Sequence, residues 1–136
     1  MHSITYAYPL FIKENHLDTF GHVNNATYLA ILEEARWDLL TQNGFGLNKI
    51  IESGLGPTIL EIKIQFLKEL RLREEVIIET KLLSYENKIG IIEQRIKRGD
   101  EVCTMAEIKI ALMDIKARKL ILPTPEWMRA VGGGNS

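Results

Sequence analysis

Between residues 18 and 28 the chain reads DTFGHVNNATY, a run dense in groups that can do chemistry. Asp18 supplies a carboxylate that can attack a carbonyl or take a proton from water. Gly21 can reach backbone conformations closed to other residues. His22 brings an imidazole, and Asn24 or Asn25 can cap a helix by accepting from its free first-turn N–H groups. Tyr28 follows one turn later. The start of a helix also presents unbonded N–H groups and a positive dipole end. Such a place stabilises negative charge building on a carbonyl oxygen, which acyl transfer requires.

Ordinary structural accounts stand beside this one. Asp18 can simply cap its loop, His22 can be a packed loop residue, and Tyr28 falls on an apolar stripe. A third account reads His16, Asp18 and His22 as two imidazoles and a carboxylate, the donor set of non-haem iron sites. Against it, all three lie within seven residues, whereas such sites draw a histidine from a distant strand. No Gly-x-Ser-x-Gly elbow occurs, and Cys103 lies in a predicted strand, so serine or cysteine hydrolysis has little support.

These residues must be positioned by the segments around them. Apolar positions Tyr28, Leu32, Ala35 and Leu39, widened by Leu29 and Leu40, predict one long helix over residues 24–43, stopped by Gly44. Before it, residues 4–13 are β-prone, with Pro9 suited to a sheet edge. After Pro57 the chain reads as sheet. Leu60, Ile62, Ile64 and Phe66 alternate with polar residues and predict a half-buried strand. A charged turn over 68–75, a second strand from Val76, a hairpin at 86–90, a third strand and a long fourth strand over 102–115 follow. Val102, Ala106, Ile108, Ile110 and Leu112 of that last strand call for burial. Residues 120–131 close with a short extended piece and a helical turn after Pro125. The expected class is α+β: one helix and five antiparallel strands in a single domain over 1–131, with a disordered glycine-rich tail at 132–136. One helix cannot cover such a sheet and its edges, so a homodimer or homotetramer is expected.

Composition limits the setting. Among 136 residues, 17 Lys and Arg offset 18 Asp and Glu, a net charge of -1 that gives no reason to expect nucleic acid or an anionic membrane surface. No stretch has the length and apolarity to span a bilayer, and the first residues lack the pattern of a signal peptide. One cysteine excludes an internal disulfide and fits a reducing compartment, so a cytoplasmic protein is expected.

The run NHLDTFGHVNNATYLAILEEAR resembles the signature of the hot-dog-fold acyl-CoA thioesterases, in the branch of 4-hydroxybenzoyl-CoA thioesterase and the bacterial long-chain acyl-CoA thioesterases. The resemblance rests on Asp18, Gly21, His22, Val23, Asn24, Asn25, Tyr28 and the Glu33-Glu34-Ala35-Arg36 stretch, and extends over most of the chain. It implies a sheet wrapped around a central helix and sites formed between two subunits. It implies Asp18 as nucleophile or general base, and the Asn25 N–H as donor to the thioester carbonyl. Gly21, His22 and Asn24 would shape the loop, and Tyr28 would line the acyl pocket or brace the loop. The substrate would be acyl-CoA or an acyl carrier protein, with no metal or other cofactor. A hot-dog protein that binds acyl groups without hydrolysis is a further alternative, disfavoured by a carboxylate in register. One departure is His16, which stands where many members carry a second acidic residue.

Overall fold

The structure is a computed structural model that describes residues 3–133. Its long helix α1 spans Asn25–Gln42, capped by Asn24, whose side chain accepts from the Thr27 N–H. Tyr28, Ile31, Leu32, Ala35, Leu39 and Leu40 form its buried stripe. Leu29, expected to widen that stripe, is 41% exposed and falls outside it.

Six antiparallel strands wrap this helix: β1 Tyr6–Phe11, β2 Leu55–Phe66, β3 Glu75–Glu86, β4 Ile89–Arg98, β5 Glu101–Asp114 and β6 Lys119–Ile121. The order is β1-β3-β4-β5-β2, with the three-residue β6 on β5. Pro9 does sit on an edge strand, β1. Strand β5 lies one strand in from the opposite edge. Ala106, Ile108, Ile110 and Leu112 are therefore buried within a single chain, with no help from a partner. That opposite edge is β2, twice as long as the six-residue edge strand β1.

The expected alternation in β2 holds only in part. A register shift between Ile59 and Glu61 bulges the strand at Leu60, which is left exposed, as is Phe66 at the strand's end. Ile62 and Ile64 remain packed against the core. A second helix, α2 Leu47–Ser53, was not foreseen: it buries no side chain completely, so its apolar pattern is faint. The turn after Pro125 is a helix, α3 Pro125–Ala130, capped by Thr124. It seats Trp127 against Phe45 edge to face and lets its indole N–H donate to the Tyr85 hydroxyl at 2.9 Å. The Tyr85 ring lies over Gly90, where a Cβ would come within 2.7 Å of it.

Two of the tail glycines, expected to be disordered, are held. The Gly132 carbonyl accepts from the Ile4 N–H, and the Gly133 N–H donates to the Met128 carbonyl. Residues 134–136 lie outside the described residues.

Candidate active site

The loop before α1 closes on itself. The Asp18 N–H donates to the His22 carbonyl, the Gly21 N–H donates to the Asp18 carbonyl, and Leu17 bridges Val23. Gly21 makes this closure cheap, since its φ of 77° lies where a Cβ is strained. The Asp18 Oδ1 accepts from the N–H groups of Phe20 at 2.9 Å and His22 at 3.1 Å. The carboxylate thus caps its own loop, as the ordinary account has it. Among the described residues, Oδ2 accepts no hydrogen bond, and it stays available for chemistry.

At the helix start, the Asn24 side chain and carbonyl take the Thr27 N–H, and the Asn24 carbonyl also takes that of Tyr28. The N–H groups of Asn25 and Ala26 have no acceptor among the described residues. They are the free donors that a helix terminus leaves over. Beside them opens a cavity of about 240 Å³ lined by His22, Val23, Asn25, Tyr28, Phe66, Leu67, Lys68 and Glu69. Of the expected site residues, His22, Asn25 and Tyr28 meet there. Asp18, Gly21 and Asn24 lie in the adjoining loop and do not line the cavity.

Tyr28 is a brace as well as a wall. Its buried ring stacks edge to face on Phe66 at 5.0 Å, and its hydroxyl accepts from the Leu70 N–H at 3.3 Å. That bond ties the 67–74 turn to α1. The imidazole of His22 meets Glu69 at 3.0 Å from the same turn. Phe66 and Glu69 were not singled out from the sequence. They reach the cavity only because the β2–β3 turn folds back over the helix start, a contact at more than 40 residues' separation.

The three-residue metal reading does not assemble. His16 Nδ1 accepts from the Lys13 N–H, Asp18 Oδ1 is held by two backbone donors, and His22 turns to Glu69. Among the described residues, no three potential ligands converge.

A long helix wrapped by an antiparallel sheet, with a carboxylate loop at the helix start, is the hot-dog arrangement. The chain belongs to the thioesterase-like superfamily, whose sequence profile matches residues 13–131. It is similar to the long-chain acyl-CoA thioesterase FadM of Escherichia coli (strain K12), with 31% identity over 112 residues covering 81% of this chain and 84% of that protein. The acyl-CoA thioesterase YbgC of Haemophilus influenzae is 24% identical over 115 residues, 84% of this chain and 85% of that one. Among solved structures, the probable thioesterase YbaW from Escherichia coli superposes with a TM-score of 0.79 at 28% identity, covering 95% of this chain and 96% of that chain.

Proposed function

We propose that the protein hydrolyses acyl-CoA thioesters to a free carboxylic acid and CoA. The observation that carries this reading is the pair of unbonded N–H groups on Asn25 and Ala26, opening beside a loop whose carboxylate keeps one oxygen free. Family membership and the named relatives support the same substrate class.

In this mechanism the thioester carbonyl oxygen sits at the start of α1 and accepts from the Asn25 N–H. Negative charge that develops on that oxygen meets donors already in place, so no reorganisation is needed in the transition state. Asp18 Oδ2 either attacks the carbonyl carbon, giving an anhydride that water then opens, or takes a proton from the attacking water. The C–S bond breaks and the sulfur leaves as CoA thiolate. Gly21 and Asn24 hold the loop and cap in shape, His22 fixes the cavity rim through Glu69, and Tyr28 forms the wall that receives the first atoms of the acyl group.

The working unit in this reading is a homodimer, which can pair further into a tetramer. Strand β2 hydrogen-bonds on one side only and exposes Ile59, Leu60 and Phe66 along its 12 residues. An edge of that length is one that proteins pair or block. A second copy joining there would bring its own chain beside the Asn25 cavity, which Phe66 helps to line. The single buried, unpaired cysteine suits a reducing, cytoplasmic setting. No helix among the described residues is long and apolar enough to cross a membrane.

The test is thiol release from short, long and aromatic acyl-CoAs, with the same acyl groups on an acyl carrier protein as a parallel arm. Faster release from the CoA series is expected. No release from any thioester would overturn the proposal. Release from the carrier-protein series alone would move the substrate to that class.

A further inference from the structure

When Asp18 Oδ2 attacks the thioester carbonyl, the carboxylate is consumed in the anhydride and cannot activate the water that opens it. Another group near the helix start has to take that proton. Of the titratable groups lining the cavity beside Asn25, Tyr28, Lys68 and Glu69 are unsuited. The Tyr28 hydroxyl is committed to the Leu70 N–H, and burial is the chief cause that raises its pKa above the ordinary value. Lys68, as an ammonium, offers donors only, and the Glu69 carboxylate is turned to His22. His22 remains. An imidazole is the side chain that takes and returns protons near neutrality.

The His22 ring has the tautomer such a base needs. Its Nδ1 lies 3.0 Å from Glu69 Oε1. A carboxylate only accepts, so a neutral imidazole there carries its proton on Nδ1 and its lone pair on Nε2. Nε2 has no partner among the described residues. Exposed ion pairs are ordinarily slack, and these side chains are 62% and 50% exposed. Here, however, both backbones are anchored. The His22 N–H donates to Asp18 Oδ1 at 3.1 Å, and its carbonyl accepts from the Asp18 N–H at 2.9 Å. The Glu69 carbonyl accepts from Arg98 Nη1 at 3.1 Å, and the guanidinium also grips the Glu74 carboxylate. On either side of Glu69, the Lys68 N–H is bonded to the Cys103 carbonyl and the Leu70 N–H to Tyr28. The imidazole thus hangs from the residue whose N–H holds the nucleophile, one side chain's length from the anhydride.

We propose that His22 and Glu69 form a general-base dyad for the second half of the reaction. The inference rests on acyl-CoA hydrolysis as the activity, and it makes Asp18 the nucleophile. Water attacks Cγ of the acylated Asp18 while His22 Nε2 takes its proton. Negative charge then builds on Oδ1, where the N–H groups of Phe20 and His22 already stand at 2.9 and 3.1 Å. The bond from Cγ to the bridging Oδ2 breaks, and its electron pair leaves with the acyl group as a carboxylate. Asp18 regains its second oxygen from the water, and the proton on His22 passes to the CoA thiolate. Glu69 is a positioning residue, which holds the ring and stabilises the imidazolium as it forms.

Pre-steady-state thiol release tests the dyad. In His22→Gln the side-chain amide can still donate to Glu69, and the backbone N–H still holds Asp18. That variant should release one thiol per site at near wild-type speed and then slow by about 10²-fold or more, the worth of a positioned base. Mass spectrometry of the quenched variant should find the acyl group on Asp18. Its kcat and KM should fall together, leaving kcat/KM, which reports the steps up to thiol release, near wild type. Glu69→Gln, which keeps an acceptor without the charge, should show the same pattern to a smaller degree. Imidazole added to His22→Ala should speed the slow phase and leave the first turnover unchanged. Steady-state rates equal to wild type in folded His22→Gln would overturn the dyad while leaving hydrolysis intact. So would loss of the first turnover along with the rest, or no adduct on Asp18. A wild type that releases no thiol from any acyl-CoA would instead remove the activity itself, and the dyad with it.

Discussion

At Asp18 one carboxylate has two differently occupied oxygens. Oδ1 is spent on the loop, bonded to Phe20 and His22 N–H groups, and Oδ2 is free among the described residues. Asp18→Asn can keep the first function through its amide oxygen and must lose the second. Turnover should therefore fall by at least ~10²-fold while the thermal melt stays close to wild type. Wild-type rates from the folded variant would remove Asp18 from the mechanism. Single-turnover hydrolysis in ¹⁸O-labelled water separates its two possible roles, since only nucleophilic attack transfers label into the enzyme carboxylate. Tyr28 makes a different claim. Tyr28→Phe retains the ring stack on Phe66 and deletes the acceptor for the Leu70 N–H, in a spot where Leu70 is 1% exposed. An unsatisfied buried donor should cost about 1–3 kcal/mol of stability by denaturant titration. A cost near zero would mean the turn is not tethered there.

Among the elements, α1 is held to β1 by a pair of clasps. The Tyr6 hydroxyl donates to Asp38 at 2.6 Å and the Tyr8 hydroxyl to Glu34 at 2.5 Å, alternate strand positions meeting residues one helical turn apart. Both phenols are pushed up to about 12, Tyr6 chiefly by burial and then its Asp38 bond, Tyr8 chiefly by its Glu34 bond and then burial. A phenol that ionises at 10 in the unfolded chain and near 12 in the folded one contributes stability that is fully present below pH 10. That contribution is lost as pH rises toward 12, where each donor becomes an anion facing a carboxylate. Melting temperature should thus fall steeply between pH 10 and 12. The Tyr6→Phe/Tyr8→Phe double variant should be less stable at neutral pH and show a shallower alkaline slope. Equal slopes would show that the clasps do not couple to folding.

For the whole molecule, the decisive surface is the open edge of β2. Light scattering at micromolar concentration should give twice or four times the mass of one 15.5 kDa chain. A monomer with full thioesterase activity would mean the site is complete within one chain. The apolar face of the long strand β5 calls for burial, and at a sheet edge it would have to draw on a partner. That argument does not survive, because β5 lies inside the sheet and its apolar face is covered by α1 and neighbouring core residues. The edge argument rests instead on β2, where Leu60 and Phe66, expected in a half-buried strand, are exposed together with Ile59.

The difference between what was legible and what was not follows the range of the interactions. Period and local chemistry are properties of neighbouring residues. The helix with an asparagine cap at 24 or 25, the hairpins, the edge position of Pro9 and the loop of Asp18, Gly21 and His22 were therefore all readable from the chain alone, and the structure decides the cap for Asn24. The seven-residue α2 escaped because it buries nothing completely and so carries little pattern. The bulge at Leu60 escaped because a register shift is a relation between two strands. The cavity wall of Phe66 and Glu69, the Tyr28–Leu70 tether and the Arg36–Gln94–Thr80 chain link residues 14 to 62 positions apart. Such contacts exist only once the sheet has curled around the helix. The sequence by itself determined which residues could do the chemistry and which helix start would present them. Only the tertiary structure decided what stands opposite, because a pocket is made by surfaces that the chain brings together from afar.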